Sequence, residues 1–536
     1  MSQLSRMLPA LVAFLPTTSD AQTGNVTYER LLGDEAEPEN WLTYSGGYFS
    51  HRYSRLDQIQ ASNVARLRVE WVHQVETMQV LETNPIVADG IMYITEPPSD
   101  VVALDLRTGR PFWSYRHKLA TSVDKICCGP DNRGVALLDG RVYVGTIDAR
   151  LVALDARSGS VLWDAEVANP ESGYSITSAP LAIKDKIVTG IAGGEYGIRG
   201  FLDAYDAKTG KRAWRFYTIP APGEPGNETW GNDSWRTGGS PTWVTGAFDP
   251  GLNLVYWGTG NPAPDWNGDL RPGDNLYSDS VVALDADSGE LRWHFQFTPH
   301  DTHDWDACQT PILVDADWEG QRRRLMLWAN RNGFYYVLDR ETGEFLRARE
   351  FSKQTWAEGL DEHGRPIVLS GSDPTEEGTL VFPSCCATAN WWPSSYSPRT
   401  GLYYAAAVDG GAIYYKGEDE YNEGDQYLGS TPVARDEVRN DWVGAIRALD
   451  SFTGEQKWEF PIEPSAVGLL STAGGLVFGG TRSGYVFALD DTTGEELWHF
   501  YAGRTVHASP ITYLSDGRQR VAVAVGSGIF TFVLSE

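Results

Sequence analysis

The chain has 536 residues, and its 56 glycines, 20 tryptophans and 25 tyrosines favour many short strands joined by tight turns. Its 44 basic and 72 acidic residues give a net charge of −28, which excludes a nucleic-acid-binding function driven by phosphate neutralisation. Beyond the N-terminus, no segment reaches the roughly 18 to 20 apolar residues of a membrane span. The acidic surface serves solubility or the docking of a basic partner protein.

The N-terminal segment 1–23 resembles a short secretory signal. Arg6 precedes the apolar stretch Met7–Leu15, and a small, polar run follows as far as Ala21. We therefore expect a soluble protein that is exported to the periplasm, with residues 24–536 forming a single domain.

A repeat dominates the rest of the chain. Its pattern is a strand that ends at an aspartate, then Thr-Gly or Ser-Gly, then a tryptophan at the start of the next strand. The aspartate can bond to the turn backbone, and the glycine supplies a positive φ angle. Copies are centred on Asp105, Asp155, Asp206, Asp285, Asp450 and Asp490, and a seventh copy at Asp339 lacks the tryptophan.

The spacing of these copies predicts an eight-bladed β-propeller, which is an all-β fold. Each unit of 40 to 54 residues holds four strands, and two long insertions, Pro220–Asp279 and Lys353–Val443, account for the wider intervals. We expect the late segment Ile529–Leu534 to close the eighth blade against the early segment Leu67–Trp71, which removes the open sheet edges. Loops from many blades then meet at the mouth of the central channel, where a ligand is expected.

The run Thr298–Ala307 is the densest group of proton-transfer and metal-binding side chains in the chain. It holds His300, Asp301, His303, Asp304 and Asp306. A solvated acidic loop is the alternative interpretation. We expect Asp301 to be an ordinary loop residue.

Several local strings resemble segments of the alcohol dehydrogenases that depend on pyrroloquinoline quinone (PQQ), the methanol and ethanol dehydrogenase family. These strings are Cys127-Cys128 followed by Asp131–Gly134, Gly193–Gly200, Gly238–Trp243 and Gly258–Asn261. The resemblance extends from Asn40 to the C-terminus. It implies an enzyme that oxidises an alcohol by hydride transfer to the quinone.

The resemblance also implies which residues surround the quinone. In the family, a disulfide between adjacent cysteines covers one face of the ring and a tryptophan covers the other, which places Cys127, Cys128 and Trp243. Two buried, unbridged cysteines are the alternative for the pair. The other cofactor-binding residues that it implies are Glu82, Arg133, Thr177, Gly193, Gly194, Glu195, Arg331, Asn390 and Trp391.

The resemblance implies one metal ion, held by Glu195, Asn261, Asp304 and Asp306. Oxygen ligands suit a hard cation, and the aspartate at 306 resembles the lanthanide-dependent members, with Ca²⁺ as the alternative. Alternate residues of an extended segment point to opposite sides, so the chain must bend for Asp304 and Asp306 to reach one ion. Imidazole is a poor ligand for such an ion, so the two histidines are expected to be structural or to lie behind the ligands.

The family also implies two catalytic roles. Asp304 takes the proton of the substrate hydroxyl, provided that one extra residue is allowed after Asp301, and Arg331 polarises the quinone carbonyl together with the metal.

Three departures from the family favour alcohols bulkier than methanol. Ala192 replaces a serine, Pro241 replaces a threonine, and the tryptophan-rich cap of the family is absent near Ala466–Leu470. Fewer bulky groups over the cofactor imply a roomier pocket for larger primary or secondary alcohols.

The cysteines leave two further questions open. Cys385 and Cys386 could form a second bridge between neighbours, or either could bond to Cys308. No C-x-x-C-H run is present, so we expect electrons to pass to a separate, basic cytochrome c.

Two other classes of protein compete with this interpretation. A non-catalytic periplasmic scaffold would share the repeat, but it gives no reason for Cys127-Cys128, Glu195 and Asp304 to occur together. A glycoside hydrolase could use paired carboxylates, but it leaves Arg133 and Trp243 unexplained.

Overall fold

The computed structural model describes residues 25–120, 125–433, 440–465 and 467–535. The signal segment expected at residues 1–23 and the cap residue Ala466 lie outside this part of the chain. Helices are short in the described residues. One α-helix spans Tyr28–Leu32, and 3-10 helices span Asp34–Ala36, Val64–Arg66, Pro170–Ser172, Gly194–Tyr196, Asn227–Thr229, Ser234–Arg236 and Gly268–Leu270.

The described strands build eight four-stranded antiparallel sheets, numbered here as blades 1 to 8 in chain order. Blade 1 holds Ile86–Ala88, Ile91–Glu96, Asp100–Asp105 and Pro111–Tyr115; blade 2 holds Ala136–Leu138, Arg141–Gly145, Arg150–Asp155 and Val161–Glu166. Blade 3 holds Leu181–Ile183, Lys186–Gly190, Phe201–Asp206 and Arg212–Tyr217; blade 4 holds Ala247–Asp249, Leu254–Gly258, Ser280–Asp285 and Leu291–Gln296.

Blade 5 holds Ile312–Trp318, Gln321–Ala329, Phe334–Asp339 and Phe345–Glu350; blade 6 holds Ser395–Ser397, Leu402–Asp409, Val443–Asp450 and Gln456–Ile462. Blade 7 holds Leu470–Thr472, Leu476–Gly480, Tyr485–Asp490 and Glu496–Tyr501, and Tyr53–Ser54 adds a fifth, parallel strand. Blade 8 holds Ile511–Ser515, Arg518–Val525, Gly528–Leu534 and Leu67–Gln74. The predicted eight-bladed propeller is confirmed.

Blade 8 joins the two ends of the described chain. The early strand Leu67–Gln74 pairs antiparallel with the late strand Gly528–Leu534, with Leu67 opposite Leu534. This pairing is the predicted closure of the propeller. It completes blade 8 from both ends of the described chain and so closes the ring of blades.

The repeat tryptophans join neighbouring blades. Trp113 of blade 1 donates its indole N–H to the carbonyl of Ala156 in blade 2 at 3.1 Å, and its ring covers Gly159. Gly159 has φ +70°, and a Cβ at this position would lie 2.5 Å from the ring. The same pairs recur as Trp71 with Gly109, Trp163 with Gly210, Trp214 with Gly289, Trp293 with Gly343 and Trp458 with Gly494. The glycine therefore serves both the turn and the docking of the previous blade.

Blades 5 and 6 meet without a tryptophan. Tyr335 replaces it, because its hydroxyl donates to the carbonyl of Ser451 at 2.9 Å while its ring packs against Gly454. Arg349 covers the same glycine. The copy at Asp339 thus keeps the inter-blade hydrogen bond with another aromatic residue.

Residues 39–54, called the strap below, cross one end of the propeller. The strap carbonyls accept backbone N–H groups from six blades: Glu39 from Leu514, Trp41 from Val87, Tyr48 from Phe248, Phe49 from Leu313, His51 from Tyr396 and Arg52 from Ser471. The strap therefore ties distant blades together by backbone hydrogen bonds.

The two predicted insertions are only partly insertions. Pro220–Asp279 contains the first two strands of blade 4, and Lys353–Val443 contains the first two strands of blade 6. The rest of the second range forms small sheets from Ala357–Leu360 with Pro366–Val368, and from Thr379–Val381, Ala412–Tyr414 and Pro432–Val433. The prediction was wrong in these bounds because short strands without the Asp-Gly-Trp signature resemble loops in sequence.

Candidate active site

The predicted site residues share one position in the blade plan. Each lies either in a connection that leads into the first strand of a blade or in the turn between its second and third strands. Asp304 and Asp306 lead into blade 5, for example, whereas Arg331 lies between its second and third strands. These connections open at the same end of a propeller, so residues far apart in sequence come together there.

The acidic run bends sharply at Asp304, which has φ +57°. The bend brings both carboxylates to one guanidinium. Arg331 Nη1 lies 3.4 Å from Asp304 Oδ1, and Arg331 Nη2 lies 3.1 Å from Asp306 Oδ2. Asp304 is 23% exposed, whereas Asp306 and Arg331 are buried. The chain is therefore bent at this point, and both carboxylates lie against Arg331.

The pKa values of Asp304 and Arg331 are shifted by burial and by their neighbours' charges. Burial, followed by the charge of Asp306, raises the pKa of Asp304 well above its ordinary value. Burial alone would lower the pKa of the Arg331 guanidinium, but Asp306 and Asp304 raise it well above the usual range. Arg331 thus stays protonated between the two acids.

Asp301 is not the ordinary loop residue that the sequence predicted. It is 1% exposed, and its carboxylate accepts the backbone N–H groups of His303 at 2.9 Å and Trp305 at 2.7 Å. Burial raises its pKa to about 6. Asp301 shapes the turn that presents Asp304, and the error arose because an acceptor of two backbone amides cannot be told from a solvated aspartate by its neighbours in sequence.

The two histidines of the run contact neighbouring rings and backbone carbonyls. The ring of His303 stacks on Trp305 at 4.1 Å, and its Nε2 lies 2.9 Å from the carbonyl of Ser372. The Nδ1 atom of His300 lies 2.7 Å from the carbonyl of Gly273.

The predicted metal ligands are held by close backbone packing. The N–H of Asn261 donates to Asp306 Oδ1 at 2.8 Å. Neither Gly194 nor Gly260 has room for a side chain, because a Cβ would lie 3.2 Å from Asn261 Oδ1 in the first case and 2.2 Å from Asp306 Oδ1 in the second. Burial, with the charge of Asp306, raises the pKa of Glu195.

Unpartnered donors remain beside these ligands. The Nδ2 group of Asn261 and the Nε groups of Arg133 and Arg331 are buried without a hydrogen-bond partner among the described residues. In the same part of the chain, no three histidine, cysteine, aspartate or glutamate side chains converge closely enough to hold an ion by themselves.

The predicted quinone-binding residues form a polar and aromatic wall. Arg133 Nη2 lies 2.6 Å from Glu82 Oε2, and its guanidinium stacks 4.3 Å from the ring centre of Trp391 and 5.1 Å from that of Trp243. The Thr177 hydroxyl donates to the carbonyl of Trp243 at 3.3 Å. This arrangement offers a flat cationic group beside two indole rings.

Asn390 joins this wall to the acidic cluster. Its Oδ1 accepts a hydrogen bond from Arg331 Nη2 at 2.9 Å and another from the N–H of Trp391 at 2.7 Å. Trp391 stacks on Trp392 at 4.5 Å.

Four of the five cysteines form two pairs of neighbouring sulfurs. The sulfurs of Cys127 and Cys128 lie 2.6 Å apart, and those of Cys385 and Cys386 lie 3.7 Å apart. Cys308 lies 3.6 Å from Arg331 Nη2. Bridges at these positions stay predictions.

Three functional candidates were missed in the sequence. Arg271 and Asp279 are fully buried near the acidic cluster, and Asp265 is 1% exposed. Burial raises the pKa of Asp265 well above its ordinary value, and the charges of Glu195 and Asp306 raise it further. The string Pro264-Asp265 directly after the Asn261 segment was the available signal. None of these residues lines the separate cavity of about 610 Å³ beside the strap, whose wall includes Trp41 and Arg52.

Comparison with known proteins identifies the fold family. The model for the PQQ glucose/ethanol/alcohol dehydrogenase β-propeller domain matches residues 41–351 and 462–521, which is more than half of the chain. The chain belongs to the PQQ-dependent alcohol dehydrogenases. This quinoprotein is therefore an enzyme that oxidises alcohols with PQQ and a metal ion, and the scaffold and glycoside hydrolase alternatives are not supported.

Its relatives include an alcohol dehydrogenase whose name specifies no metal and methanol dehydrogenases that are named as lanthanide-dependent. It is 39% identical over 531 residues to quinoprotein alcohol dehydrogenase PedH of Pseudomonas putida, covering 94% of this chain and 89% of the relative. It is 37% identical over 558 residues to the lanthanide-dependent methanol dehydrogenase of Methylorubrum extorquens, covering 97% and 92%. The solved europium-containing methanol dehydrogenase matches with a TM-score of 0.90 at 32% identity, covering 94% of this quinoprotein and 100% of that chain.

Across the described residues of the quinoprotein, there is no helix with the length and apolar character that crossing a membrane requires.

Proposed function

We propose that this quinoprotein oxidises a primary or secondary alcohol bulkier than methanol to an aldehyde or ketone, with a lanthanide ion beside PQQ. The observation that carries the proposal is the bend at Asp304, which turns Asp304 and Asp306 toward the single guanidinium of Arg331. With Glu195, the proposed ligands carry three negative charges, which is one more than a divalent cation neutralises and equal to the charge of a trivalent one.

The residues present fit the quinone. Arg133 keeps a buried N–H without a partner among the described residues and stacks on Trp391 and Trp243, so it can bind an anionic, planar molecule. Glu82, Thr177, Asn390 and the Cys127–Cys128 pair surround the same space in the proposal. When bound, PQQ accepts the hydride from the alcohol carbon.

The residues also fit a cation. Glu195, Asn261, Asp304 and Asp306 would hold it, since they offer three carboxylates and an amide oxygen, and the glycines at 194 and 260 let the backbone approach closely. The relative from Methylorubrum extorquens is named as lanthanide-dependent, which supports the same choice here.

Asp304 is placed to act as the base. Its carboxylate is partly exposed, whereas that of Asp306 is buried, so a substrate hydroxyl can approach Asp304 more directly. Arg331 holds Asp304 by its main chain as well, because Nη1 donates to the Asp304 carbonyl at 2.9 Å. Arg331 is thereby fixed beside the reacting groups.

The substrate pocket is proposed to be roomy. No tryptophan stands at 467–470, where Val467, Leu469 and Leu470 are buried in the blades. Pro241 packs against the backbone at Gly194 and Gly260. These positions add no bulk above the cofactor.

We propose a separate, basic cytochrome c as the electron acceptor, in the periplasm, with residues 24–536 as one propeller domain. The net charge of −28 supports docking of a basic partner. Acceptor reduction is expected to slow as salt rises, because screening weakens long-range attraction.

The decisive experiment reconstitutes the protein with PQQ and either La³⁺ or Ca²⁺ and follows dye-linked oxidation of methanol and of a bulkier secondary alcohol. We expect activity with La³⁺ and a higher kcat/KM for the bulkier alcohol. Asp306→Ala is expected to remove the La³⁺ activity and to retain any activity with Ca²⁺. The absence of alcohol oxidation with both ions would contradict the proposal, and an unaffected Asp306→Ala enzyme would remove Asp306 from the metal site.

A further inference from the structure

Asp265 is a buried acid without a local partner. It is 1% exposed, and neither of its carboxylate oxygens has a hydrogen-bond partner among the described residues. A buried carboxylate in this state is strongly unfavourable unless a charge nearby compensates it. Arg271 links Asp265 to the acidic run, because its Nη2 donates to the carbonyls of both Asp265 and Asp301.

The neighbouring arginine does not supply that compensation by contact. Arg271 is fully buried, but its guanidinium is committed elsewhere. It donates to the carbonyls of Pro264 at 3.1 Å, Asp265 at 3.2 Å and Asp301 at 2.5 Å, and to Asn275 Oδ1 at 2.9 Å. The positive charge therefore lies near the Asp265 carboxylate without a hydrogen bond to it.

The balance of charge in this region is negative. Six acids in this region interact through their charges, and two arginines interact with them. The acids are Glu195, Asp265, Asp279, Asp301, Asp304 and Asp306, and the arginines are Arg271 and Arg331. A trivalent cation offsets more of this excess than a divalent one.

We propose that Asp265 sets the preference of the site for a trivalent over a divalent cation, acting on the ion through space from behind the ligands. This inference rests on the proposed function, because it concerns the same ion. Asp265 touches neither Arg331 nor Asp306 by a hydrogen bond, so its role is to add charge, not to shape the ligands. Asp279, whose carboxylate is likewise buried without a partner in the described residues, adds charge in the same way.

The test measures binding, not turnover. The PQQ-loaded protein is titrated with Tb³⁺, whose luminescence is excited through nearby tryptophan, and Ca²⁺ is then used to displace it. Asp265→Asn keeps the size of the side chain and removes its charge. We expect the Tb³⁺ to Ca²⁺ affinity ratio to fall about tenfold, because the lost charge acts more strongly on the trivalent ion. Asp233→Asn removes an exposed charge and is the matched control, expected to keep the wild-type ratio.

Each outcome decides between the two proposals. An unchanged ratio in a folded Asp265→Asn protein overturns the inference and leaves the proposed function standing. A wild-type protein that binds no Tb³⁺ contradicts the lanthanide proposal itself. If Asp265→Asn does not fold, Asp279→Asn tests the same argument, and a wild-type ratio in that variant also overturns it.

Discussion

At the scale of single residues, the three carboxylates of Thr298–Ala307 have three different surroundings. Asp301 is buried in the turn and accepts backbone N–H groups. Asp304 has a left-handed backbone conformation and is partly exposed. Asp306 is buried, where it contacts Arg331 and accepts the N–H of Asn261. One group therefore organises the loop, and the other two lie against Arg331.

Removing the Asp301 carboxylate should destabilise the fold. Asp301→Ala leaves the buried N–H groups of His303 and Trp305 without acceptors, which predicts a loss of about 2 to 4 kcal/mol in the free energy of unfolding. Asp301→Asn keeps one acceptor oxygen and should lose about half as much. Urea unfolding measures both, and equal stability of the alanine variant and the wild type would show that water replaces the carboxylate.

At the scale of elements, each blade is held to the next by a short signature. The aspartate closes the turn, the glycine permits it, and the preceding tryptophan closes over the glycine and bonds to a carbonyl beside it. Because the turn contacts lie within one copy of the signature and the copies recur along the chain, the sequence pattern predicts the turns. Between blades 5 and 6, where the tryptophan is absent, the Tyr335 hydroxyl donates to the carbonyl of Ser451.

Two glycines have nearly equal φ angles but different surroundings, so substituting each of them distinguishes a steric clash from backbone strain. Gly159 has φ +70° and lies under Trp113, whereas Gly401 has φ +68° and open space around it. Gly401→Ala should cost only the left-handed strain, about 1 to 2 kcal/mol. Gly159→Ala adds a clash with the indole and should cost about 3 kcal/mol or more. Thermal unfolding of the two variants is the comparison, and similar losses would mean that the Trp113 ring moves freely.

At the scale of the whole molecule, the propeller is closed twice. Blade 8 pairs the first and last long strands, and the strap binds the backbone of six blades across one end. Arg52 strengthens this end, because it is 1% exposed and donates to the carbonyls of Leu469, Tyr44 and Pro510. These contacts join residues more than 400 positions apart.

Loss of Arg52 should loosen the entire propeller. Arg52→Ala leaves three buried carbonyls without donors, so we expect the free energy of unfolding to fall by at least about 3 kcal/mol. Arg55 lies just beyond the strap and is half exposed in an ion pair with Glu35, so Arg55→Ala should change stability by less than about 0.5 kcal/mol. Denaturant midpoints measure both variants, and a small effect at Arg52 would contradict a structural role for the strap.

The sequence by itself determined the blades and the closing strand pair, because turn chemistry and strand periodicity are local and repeat along the chain. Only the tertiary structure decided that Asp301 is buried, that Tyr335 bonds across to blade 6, and that the Asp265 carboxylate has no hydrogen-bond partner among the described residues. The burial and the hydrogen bonds of these side chains depend on which inter-strand loops meet above the channel. Those loops come from blades far apart in sequence. The physical reason is that a side chain's charge and hydrogen bonds are set by everything packed around it, whereas a turn is set by its own few residues.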